Sequence, residues 1–528
     1  LMSENQAQKK LFKNTGIMSV AIFLSRILGL VRDQVMAAFF GTSYVNDAFN
    51  IAFNIPNLLR RLFGEGALST AFVPIYNEMG IKRGKQYQIL FAINLLTVLS
   101  LILLALSVIG VVAAPLIIKV IYPGLSVQTS DLAVKLTYIL FPYLFLIGLS
   151  STMIAILNSH DYFFITGLSS ALLNIAWIGT IFIAAYFTKD QINLVYFSAI
   201  GVIIGGVLQT VVNFPFLRKS GYYFKAIFRF KTTAMIMLWK RFVPAMLGLG
   251  IREVNLLMDA LIASFLPGGS ISSLTFGNRL MQLPLGIFGI SAGTAVLPSF
   301  SRSLINKDWK ELSSTLRFSI LFMLYVMLPV TALMIAGSED FIILLFKRSA
   351  FDSHAVSMTV KALVCYTLGL VFFGLNQTIT PVFYAAKDTK TPVKIAGAMC
   401  LTNIVLNVAL MFPLKHAGLA LATSISAMLQ FLIMLHVLLK RFPEIRISKI
   451  RINLLKILII SFILFASIFA VSHFWKTATF LLLLAKVCVM IILWIIILFS
   501  LGFIFKLEYW DSVVQRLCSK FLKKSVKN

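Results

Sequence analysis

Several arginines stand inside long apolar segments of the chain, where a charged side chain is costly. They are Arg26, Arg32, Arg60, Arg61, Arg252 and Arg279. A charge at the centre of a bilayer costs about 2.5–3.5 kcal/mol on insertion scales, so such residues persist where they line a wet cavity or pair with acids. The planar guanidinium group suits bidentate contact with phosphate oxygens. The pattern predicts a cationic cavity for an anionic substrate; for any single arginine, an interfacial anchor or an ion-pair strut is the alternative.

Acidic residues are available as partners for these arginines. They are Asp33, Asp47 and Glu65 in the first half of the chain, and Glu253 and Asp259 in the second. Arg26 and Asp33 are seven residues apart and share nearly the same helix face, whereas Arg26 and Arg32 are about 120° apart. The arginine-bearing segments therefore carry their own candidate counter-ions.

A second polar set is of the kind that binds a small hard cation. Asp259 interrupts an apolar run, Asn403 and Asn407 share a helix face at a spacing of four residues, and Thr423 follows in the next predicted helix. An intramembrane acid is a functional candidate. We expect this set to bind Na⁺, or Asp259 to carry a proton. The alternative is that Asp259 pairs with Arg252 and that the asparagines hydrogen-bond between helices.

The elements that position these residues are membrane-spanning helices. Of 528 residues, 59% are apolar and 12% charged, against about 45–50% and about 25% in soluble domains, and the mean hydropathy is +0.92. Since a spanning helix needs roughly 20 apolar residues, we predict an all-α polytopic membrane protein with about fourteen transmembrane helices. We place spans 1 to 14 at 12–40, 46–79, 87–119, 131–158, 162–187, 192–217, 234–266, 271–301, 308–337, 353–386, 391–413, 416–439, 452–473 and 478–505.

The net charge of +28 is unevenly distributed over the predicted loops. With a cytoplasmic N-terminus, the loops on that side carry 31 Lys and Arg and the opposite loops carry 7. This bias places both termini in the cytoplasm and accounts for the charge without nucleic acid as a partner. The sequence has no GxxxxGK[ST] motif, no metal-ligand spacing among its histidines and no nucleophile–base pair. We therefore expect a transporter rather than an enzyme, and no organic cofactor.

Three short segments recur in the same order in the two halves of the chain. They pair 69–74 with 293–298, 172–176 with 401–405, and 206–209 with 427–430. Each half then has six spans, so both halves cross the membrane in the same direction, as in the parallel repeats of alternating-access transporters. Helix-end preferences for Pro and small residues are the alternative explanation. We divide the chain into six-helix lobes at 1–218 and 219–441, followed at 442–528 by two extra spans and a basic cytoplasmic tail.

Six segments resemble the MurJ/MviN family of bacterial lipid II flippases. They are SRILGLVRDQ (25–34), NDAF (46–49), PNLLRRLFGEGALSTAFVP (56–74), NRLMQLPLGIFG (278–289), DTKTPVKIA (388–396) and PLKHAGLALA (413–422). Together they extend over almost the whole chain. The resemblance implies a MATE-like fold, and movement of lipid II, the lipid-linked peptidoglycan precursor, from the inner to the outer leaflet of the bacterial cytoplasmic (inner) membrane.

The resemblance also implies roles for single residues. Arg26, Arg32, Arg60 and Arg279 look like cavity arginines of the family, with Arg61 beside them, and Ser25, Asp33, Asp47 and Glu65 resemble polar neighbours in the same motifs. Asp259, Asn403, Asn407 and Thr423 resemble a sodium site described for part of the family, with the backbone near Leu419 as a further contributor. The chain departs from the pattern at Asn278 and Gln282, where some relatives have an acid, and at Arg252, which has no assigned counterpart.

The implied mechanism places the head group of lipid II in a cationic cavity between the lobes. The polyprenyl tail stays in lipid or in a groove at spans 13 and 14, rocking of the lobes exposes the head to the outer side, and Na⁺, H⁺ or the membrane potential biases the return. The expected partners are lipid II, membrane lipids and cell-wall synthases. The alternatives are a flippase for another polyprenyl-diphosphate-linked oligosaccharide, a MATE-type cation-coupled antiporter, whose cavity should be acidic or aromatic, and a scaffold for cell-wall enzymes.

Overall fold

The computed structural model describes residues 24–514, except 63–66, 161, 224, 447–449 and 513, and these described residues form helices and no strand. Residues 24–40 form α1. The helices that follow are α2 Tyr44–Arg60, α3 Ala67–Val112, α4 Ala114–Ile121, α5 Val127–Leu140, α6 Tyr143–Asn158, α7 Phe163–Phe187, α8 Gln191–Val211, α9 Phe214–Lys219, α10 Thr233–Ala263, α11 Ser270–Pro284, a π-helical turn Leu285–Gly289, α12 Ile290–Ile305, α13 Trp309–Ala336, α14 Ser338–Phe346, α15 Ser353–Leu368, α16 Leu370–Ala385, α17 Lys390–Leu414, α18 His416–Arg441, α19 Ile450–Phe474 and α20 Phe480–Ile504.

The chain forms two compact units. Unit 1 extends to Ser272 and includes Arg348–Phe351, and unit 2 comprises Ser273–Lys347 and the chain from Asp352 onward. Within unit 1, the short segment Arg348–Phe351 is attached to the end of α1, where the backbone N–H of Ala350 donates to the carbonyl of Ala38 at 3.0 Å. Our division at 218 and 441 follows the sequence repeat rather than contacts, and it stays a prediction.

The membrane character of the fold follows from its long apolar helices. Among the described residues, nine helices are long and apolar enough to span a membrane, and the bent pair α5–α6 makes a tenth. These ten match predicted spans 3–6 and 9–14. The all-α polytopic architecture is confirmed, whereas the count of fourteen is not.

The four remaining predicted spans, 1, 2, 7 and 8, are those that carry the arginines. Their described parts are α1, α2, α10 and the α11–α12 stretch. α2 has 17 residues, fewer than the roughly 20 that cross a bilayer, and the π-helical turn Leu285–Gly289 interrupts the α11–α12 stretch. The described part of α1 is residues 24–40, and charged residues interrupt the apolar sequence of α10. Length and apolarity of the described helices therefore do not identify these four as spans.

The two C-terminal helices are fixed to α13 and α14 within unit 2. Lys486 of α20 and Asp340 of α14 form a buried ion pair with 2.8 Å between Nζ and Oδ1. Ser472 of α19 completes the group, because its carbonyl accepts from Lys486 at 2.8 Å and its hydroxyl donates to Asp340 Oδ2 at 2.6 Å. The indole N–H of Trp494 donates to the carbonyl of Pro329 at 2.8 Å. Spans 13 and 14 are therefore tied to unit 2 by polar contacts as well as by packing.

A second tie lies near the opposite ends of the same helices. Arg317 of α13 pairs with Glu508 at 2.9 Å, and Asn453 of α19 donates to Glu508 Oε2 at 3.1 Å and accepts from its backbone N–H at 3.2 Å. The side chains of Arg317 and Glu508 are 21% and 25% exposed. This pair is therefore less desolvated than the Lys486–Asp340 pair.

The DTKTPVKIA segment begins α17 through the carboxylate of Asp388. Its Oδ1 accepts from the backbone N–H groups of Lys390 and Thr391 at 3.1 and 3.0 Å, and its Oδ2 accepts from the Thr391 hydroxyl at 2.6 Å. Arg441, at the end of α18, also pairs with Asp388. The hydrogen bonds from Thr391, followed by the pairing with Arg441, hold the pKa of Asp388 below its ordinary value.

This contact predicts a small dependence of stability on pH. Because the folded protein lowers the pKa of Asp388, the stabilisation is present above the ordinary pKa of the group and is lost as pH falls below it. We expect Asp388→Asn to reduce the free energy of unfolding at neutral pH by under about 1 kcal/mol, since Arg441 is solvent-exposed. Thermal unfolding of both proteins from pH 7 to pH 3 measures this, and the difference should shrink with acidification. A difference that grows with acidification would contradict the assignment.

Candidate functional site

Arg32 of α1 is held by three other side chains of unit 1. Its Nη2 and Nε donate to Asp33 Oδ1 at 2.7 and 3.1 Å, and its Nη1 donates to Asn174 Oδ1 of α7 at 3.1 Å. The guanidinium also lies over the ring of Trp177, with 4.6 Å between Cζ and the ring centroid. Arg32 thus joins α1 to α7, and it does so as a largely desolvated cation.

Arg26 lies about two turns earlier on α1 and on a different face. Its side chain is exposed, whereas that of Arg32 is not. The neighbouring Ser25 is half-buried, and its carbonyl accepts from Asn174 Nδ2 at 3.4 Å. Asn174 of α7 therefore contacts α1 at both Ser25 and Arg32. These two contacts hold in place the part of α1 that carries Arg26.

The second cationic group lies where α2 ends. Arg60 is half-buried, and its Nε donates to Asn57 Oδ1 at 2.9 Å. Arg61 pairs with Glu253 of α10, with 2.8 Å between Nη2 and Oε2, and the carboxylate is the more buried partner. Glu65, which the sequence places beside them, lies outside the described residues. The end of α2 therefore carries two adjacent guanidinium groups, and Glu253 contacts one of them.

Asp47, predicted as a polar neighbour of the substrate, serves as a cap for another helix. Its Oδ2 accepts from the backbone N–H of Gly269 at 2.5 Å, and its Oδ1 accepts from the N–H and hydroxyl of Ser272 at 2.7 and 2.6 Å. The carboxylate is buried and satisfies N–H groups at the start of α11, which lack partners within the helix. Gly269 has φ +86°, and a Cβ there would lie 2.2 Å from the carbonyl oxygen of Thr42. This close approach requires glycine.

The cap predicts a stability defect for substitutions of Asp47. Asp47→Ala removes a buried helix cap, which costs about 0.5–2 kcal/mol, and leaves buried donors unsatisfied, at about 1–3 kcal/mol. We expect a loss of thermal stability of several degrees in detergent, with Asp47→Asn between wild type and alanine. Asp352→Asn is the matched control, because Asp352 caps α15 through a single contact at 2.8 Å and is exposed. Asp352→Asn should change the stability little, and an Asp47→Ala protein as stable as the wild type would show that the cap is not stabilising.

Unit 2 contributes Arg279, which lies in the middle of α11 with an exposed side chain. The two positions where the sequence departs from the family pattern lie on the same helix. Gln282 Nε2 donates to Asn278 Oδ1 at 3.0 Å. On α11, Arg279 therefore has the neutral amides of Asn278 and Gln282 nearby in sequence, at positions where some relatives have a carboxylate.

The candidate cation ligands are distributed over both units. In unit 2, Asn403 and Asn407 are buried on α17, where Asn407 Nδ2 donates to Asn403 Oδ1 at 3.0 Å. On α18, the hydroxyl of Thr423 donates to the carbonyl of Leu419 at 2.9 Å. Asp259 is half-buried on α10 of unit 1. The amide, hydroxyl and carbonyl oxygens are of the type that hard cations bind, so the residues of unit 2 fit a Na⁺ ion by their chemistry.

Some contacts of the arginines were not foreseen from the sequence. Asn174 and Trp177, which hold Arg32, lie far from it in the chain, and Glu253 was recognised as an acid but not as the partner of Arg61. A signal for Asn174 was present, because it lies in the repeated segment 172–176 that matches the segment of Asn403. The repeat thus indicated a buried polar position without indicating its partner.

Comparison with known proteins gives consistent results over most of the chain. Residues 36–490 match the family described as "Lipid II flippase MurJ". "Probable lipid II flippase MurJ" of Buchnera aphidicola subsp. Schizaphis graminum is 34% identical over 424 residues, 80% of this chain and 81% of the relative. "Lipid II flippase MurJ" of Burkholderia cenocepacia is 34% identical over 438 residues, 82% of this chain and 84% of the relative.

Solved structures extend the likeness to the fold. "Lipid II flippase MurJ, inward closed conformation" has a TM-score of 0.76 and 31% identity, covering 91% of this chain and 97% of its own. An inward-facing multidrug resistance MATE family transporter of the MOP superfamily has a TM-score of 0.66 and 14% identity, covering 81% and 99%. At that identity the second likeness concerns the fold alone, which agrees with the predicted MATE-like architecture.

Proposed function

Because the chain belongs to the MurJ family of lipid II flippases, we propose that it moves lipid II from the inner to the outer leaflet of the bacterial cytoplasmic membrane by alternating access. Its relatives carry the names of flippases, which are transporters and not enzymes. The recorded inward closed conformation of a relative is one state of such a cycle. The position of both termini in the cytoplasm is part of the proposal.

The observation that carries the proposal is the polarity of α1, α2, α10 and α11. In a chain whose other long helices are mostly apolar, these four hold Arg26, Arg32, Arg60, Arg252 and Arg279. A cationic helix is poorly suited to contact lipid tails, but it is suited to contact a pyrophosphate. For a cation antiporter, we would expect acidic or aromatic side chains in place of these arginines.

We assign the pyrophosphate to a cationic central cavity that includes Arg26, Arg60 and Arg279. Their guanidinium groups offer bidentate hydrogen bonds to phosphate oxygens. Arg32 and Arg61 are already engaged by Asp33 and Glu253, so we assign them to holding α1 and α2 in position and to the positive field of the site. The polyprenyl tail remains in the lipid while the head group crosses.

A transport assay tests the function directly. Proteoliposomes with the purified protein should translocate fluorescent lipid II at least tenfold faster than protein-free liposomes, and another polyprenyl-diphosphate-linked oligosaccharide more slowly. Faster movement of the second lipid would identify the alternative flippase, and exchange of an organic cation without lipid movement would identify an antiporter. Absence of both activities from a folded, correctly inserted protein would favour a scaffold for cell-wall synthases.

For the coupling ion we propose Na⁺ or H⁺ at Asp259, Asn403, Asn407 and Thr423. Asp259→Asn keeps the shape of the side chain and removes its charge, so flipping should lose its dependence on Na⁺ or on pH and slow by roughly tenfold or more. Initial rates in NaCl, KCl and at two pH values measure this. Asp190→Asn, a cap at the exposed start of α8, is the matched control. An unchanged ion dependence in Asp259→Asn would assign coupling elsewhere, for example to the membrane potential acting on the cavity charges.

A further inference from the structure

A second cationic feature lies outside the flipping site. The basic segment, residues 218–241, comprises the end of α9, the connection that follows it and the beginning of α10, and it contains seven Lys and Arg and no acid. All seven side chains are exposed; they are Arg218, Lys219, Lys225, Arg229, Lys231, Lys240 and Arg241. The proposed flipping mechanism uses none of them.

Part of this segment is fixed against α3 by hydrogen bonds of its backbone. Asn94 of α3 donates through Nδ2 to the carbonyl of Arg229 at 2.9 Å and accepts from the Arg229 backbone N–H at 2.8 Å. One turn further along α3, Thr97 Oγ1 accepts from the N–H of Ile227 at 3.4 Å. Asn94 is 3% exposed, and its buried amide both donates to and accepts from the backbone of Arg229. The segment is therefore held at a defined place and is not a free loop.

The place at which it is held is the beginning of a membrane-spanning stretch. α3 is broken at Gly84, which has φ +82°, and the apolar part of the helix follows the break. Asn94 lies ten residues beyond Gly84, or about 15 Å along the helix axis. Residues 227–229 thus lie beside the first turns of the apolar part of α3. A segment beside the first turns of a spanning helix is placed to reach the membrane interface.

The exposed side chains of the segment are of two kinds. Tyr223, Phe228 and Phe230 are each more than half exposed, and Lys225, Arg229 and Lys231 alternate with them along the chain. Aromatic rings concentrate at membrane interfaces, and Lys and Arg extend their charged ends from that level toward the head groups. Large exposed rings beside an apolar span favour a lipid over a nucleic acid or an acidic protein as the partner.

We propose that the basic segment is a binding site for anionic phospholipids. Lys225, Arg229 and Lys231 contact the phosphate groups, the three aromatic side chains enter the upper acyl region, and Asn94 holds the segment at the depth where both contacts are made. Clusters of four to eight basic residues next to a transmembrane helix bind anionic lipids in this manner. The site concerns the lipid around the protein and does not depend on which lipid-linked substrate is transported.

The charge contribution is tested with two triple variants in nanodiscs of mixed phosphatidylglycerol and phosphatidylcholine. Lys225→Gln/Arg229→Gln/Lys231→Gln removes three cations from the site. Lys387→Gln/Lys390→Gln/Lys394→Gln removes three exposed cations at and just before the start of α17, on the same predicted side. Each cation near a charged membrane contributes roughly a fivefold factor in affinity. We expect the ratio of phosphatidylglycerol to phosphatidylcholine retained by the first variant, measured by native mass spectrometry, to fall at least fivefold. The control should change by less than twofold; equal falls would show a general charge effect and overturn the site.

The geometric contribution is tested by Asn94→Leu, which keeps every charge. It should release residues 225–229, seen as faster amide hydrogen exchange there, and should lower phosphatidylglycerol retention at least threefold. Released amides with unchanged retention would overturn the role of the fixed geometry. Retention that is unchanged in both Asn94→Leu and the first triple variant would overturn the proposal as a whole.

Discussion

Alanine at Arg26, Arg60 or Arg279 is expected to abolish rescue of a bacterium depleted of its own lipid II flippase, at membrane levels matched to the wild type. Each substitution removes one charge-assisted contact to the pyrophosphate, and such contacts contribute about 1.5–3 kcal/mol each. That corresponds to a roughly 10- to 150-fold slower transport rate, which growth does not tolerate when flipping is essential. Colony formation after depletion of the native flippase measures the result, and the proteoliposome rate gives the magnitude.

Two controls separate phosphate binding from a structural role. Arg302→Ala removes an exposed arginine at the end of α12 and should rescue fully. Lysine at Arg26, Arg60 or Arg279 keeps the charge but not the bidentate fork, so it should rescue partially. Full rescue by all three alanine variants would mean that these arginines do not bind the substrate. Loss of protein from the membrane in any variant would assign that arginine to folding instead.

Substitution of Arg32 or Arg61 should lower stability as well as transport, because each forms an ion pair with an acid of the protein. Removing Arg61 takes away the ion-pair partner of the buried Glu253, and removing Arg32 takes away one hydrogen-bond donor to Asn174 and the ion pair with Asp33. The main effect in both cases is lower stability, with transport reduced as a consequence. On the proposed mechanism, the arginines at α1 and α2 therefore have two roles. Arg26 and Arg60 bind the substrate, whereas Arg32 and Arg61 hold the helices through ion pairs with acids.

Hydropathy and charge were sufficient to predict the helical membrane architecture. The count of spans was the weak point for a physical reason. Counting rests on long, uninterrupted apolar helices, but the described helix α2 has only 17 residues, and a π-helical turn divides the predicted eighth span into α11 and α12. An apolar run in the sequence does not show where a helix breaks, so the predicted count could not take these interruptions into account.

The side-chain partners could not be predicted, because they depend on contacts between distant parts of the chain. Asp47 meets Ser272 across 225 residues, and Arg32 meets Asn174 across 142. The sequence alone does not distinguish an aspartate that binds a ligand from one that caps a helix. The role of Asp47 follows from the N–H and hydroxyl groups that donate to it, which belong to Gly269 and Ser272. Asp33 pairs with the adjacent Arg32, whereas the helix-face spacing in the sequence related Asp33 to Arg26.

Asp340→Ala is expected to produce the largest loss of stability among substitutions outside the proposed flipping site. The change leaves Lys486 buried, with an uncompensated charge and 3% of the residue exposed. Breaking a buried ion pair by removing one partner costs about 3–5 kcal/mol. Ser472 loses its acceptor at the same time. We expect a drop in Tm of many degrees in detergent micelles, together with easier release of α19 and α20, seen as faster proteolysis between them.

The double variant Asp340→Leu/Lys486→Met decides whether charge or packing is responsible. Removing both charges avoids the unpaired cation, and replacing a buried pair by apolar residues is often neutral or stabilising, so most of the lost stability should return. Glu508→Ala is the matched control, because it breaks the Arg317 pair, whose side chains are partly exposed, and should cost less than Asp340→Ala. If the double variant is as unstable as Asp340→Ala, the contact stabilises α20 by shape and hydrogen bonding with Ser472 rather than by charge. The hydrogen bond between Trp494 and Pro329 would then be a further uncharged contact that attaches α20 to unit 2.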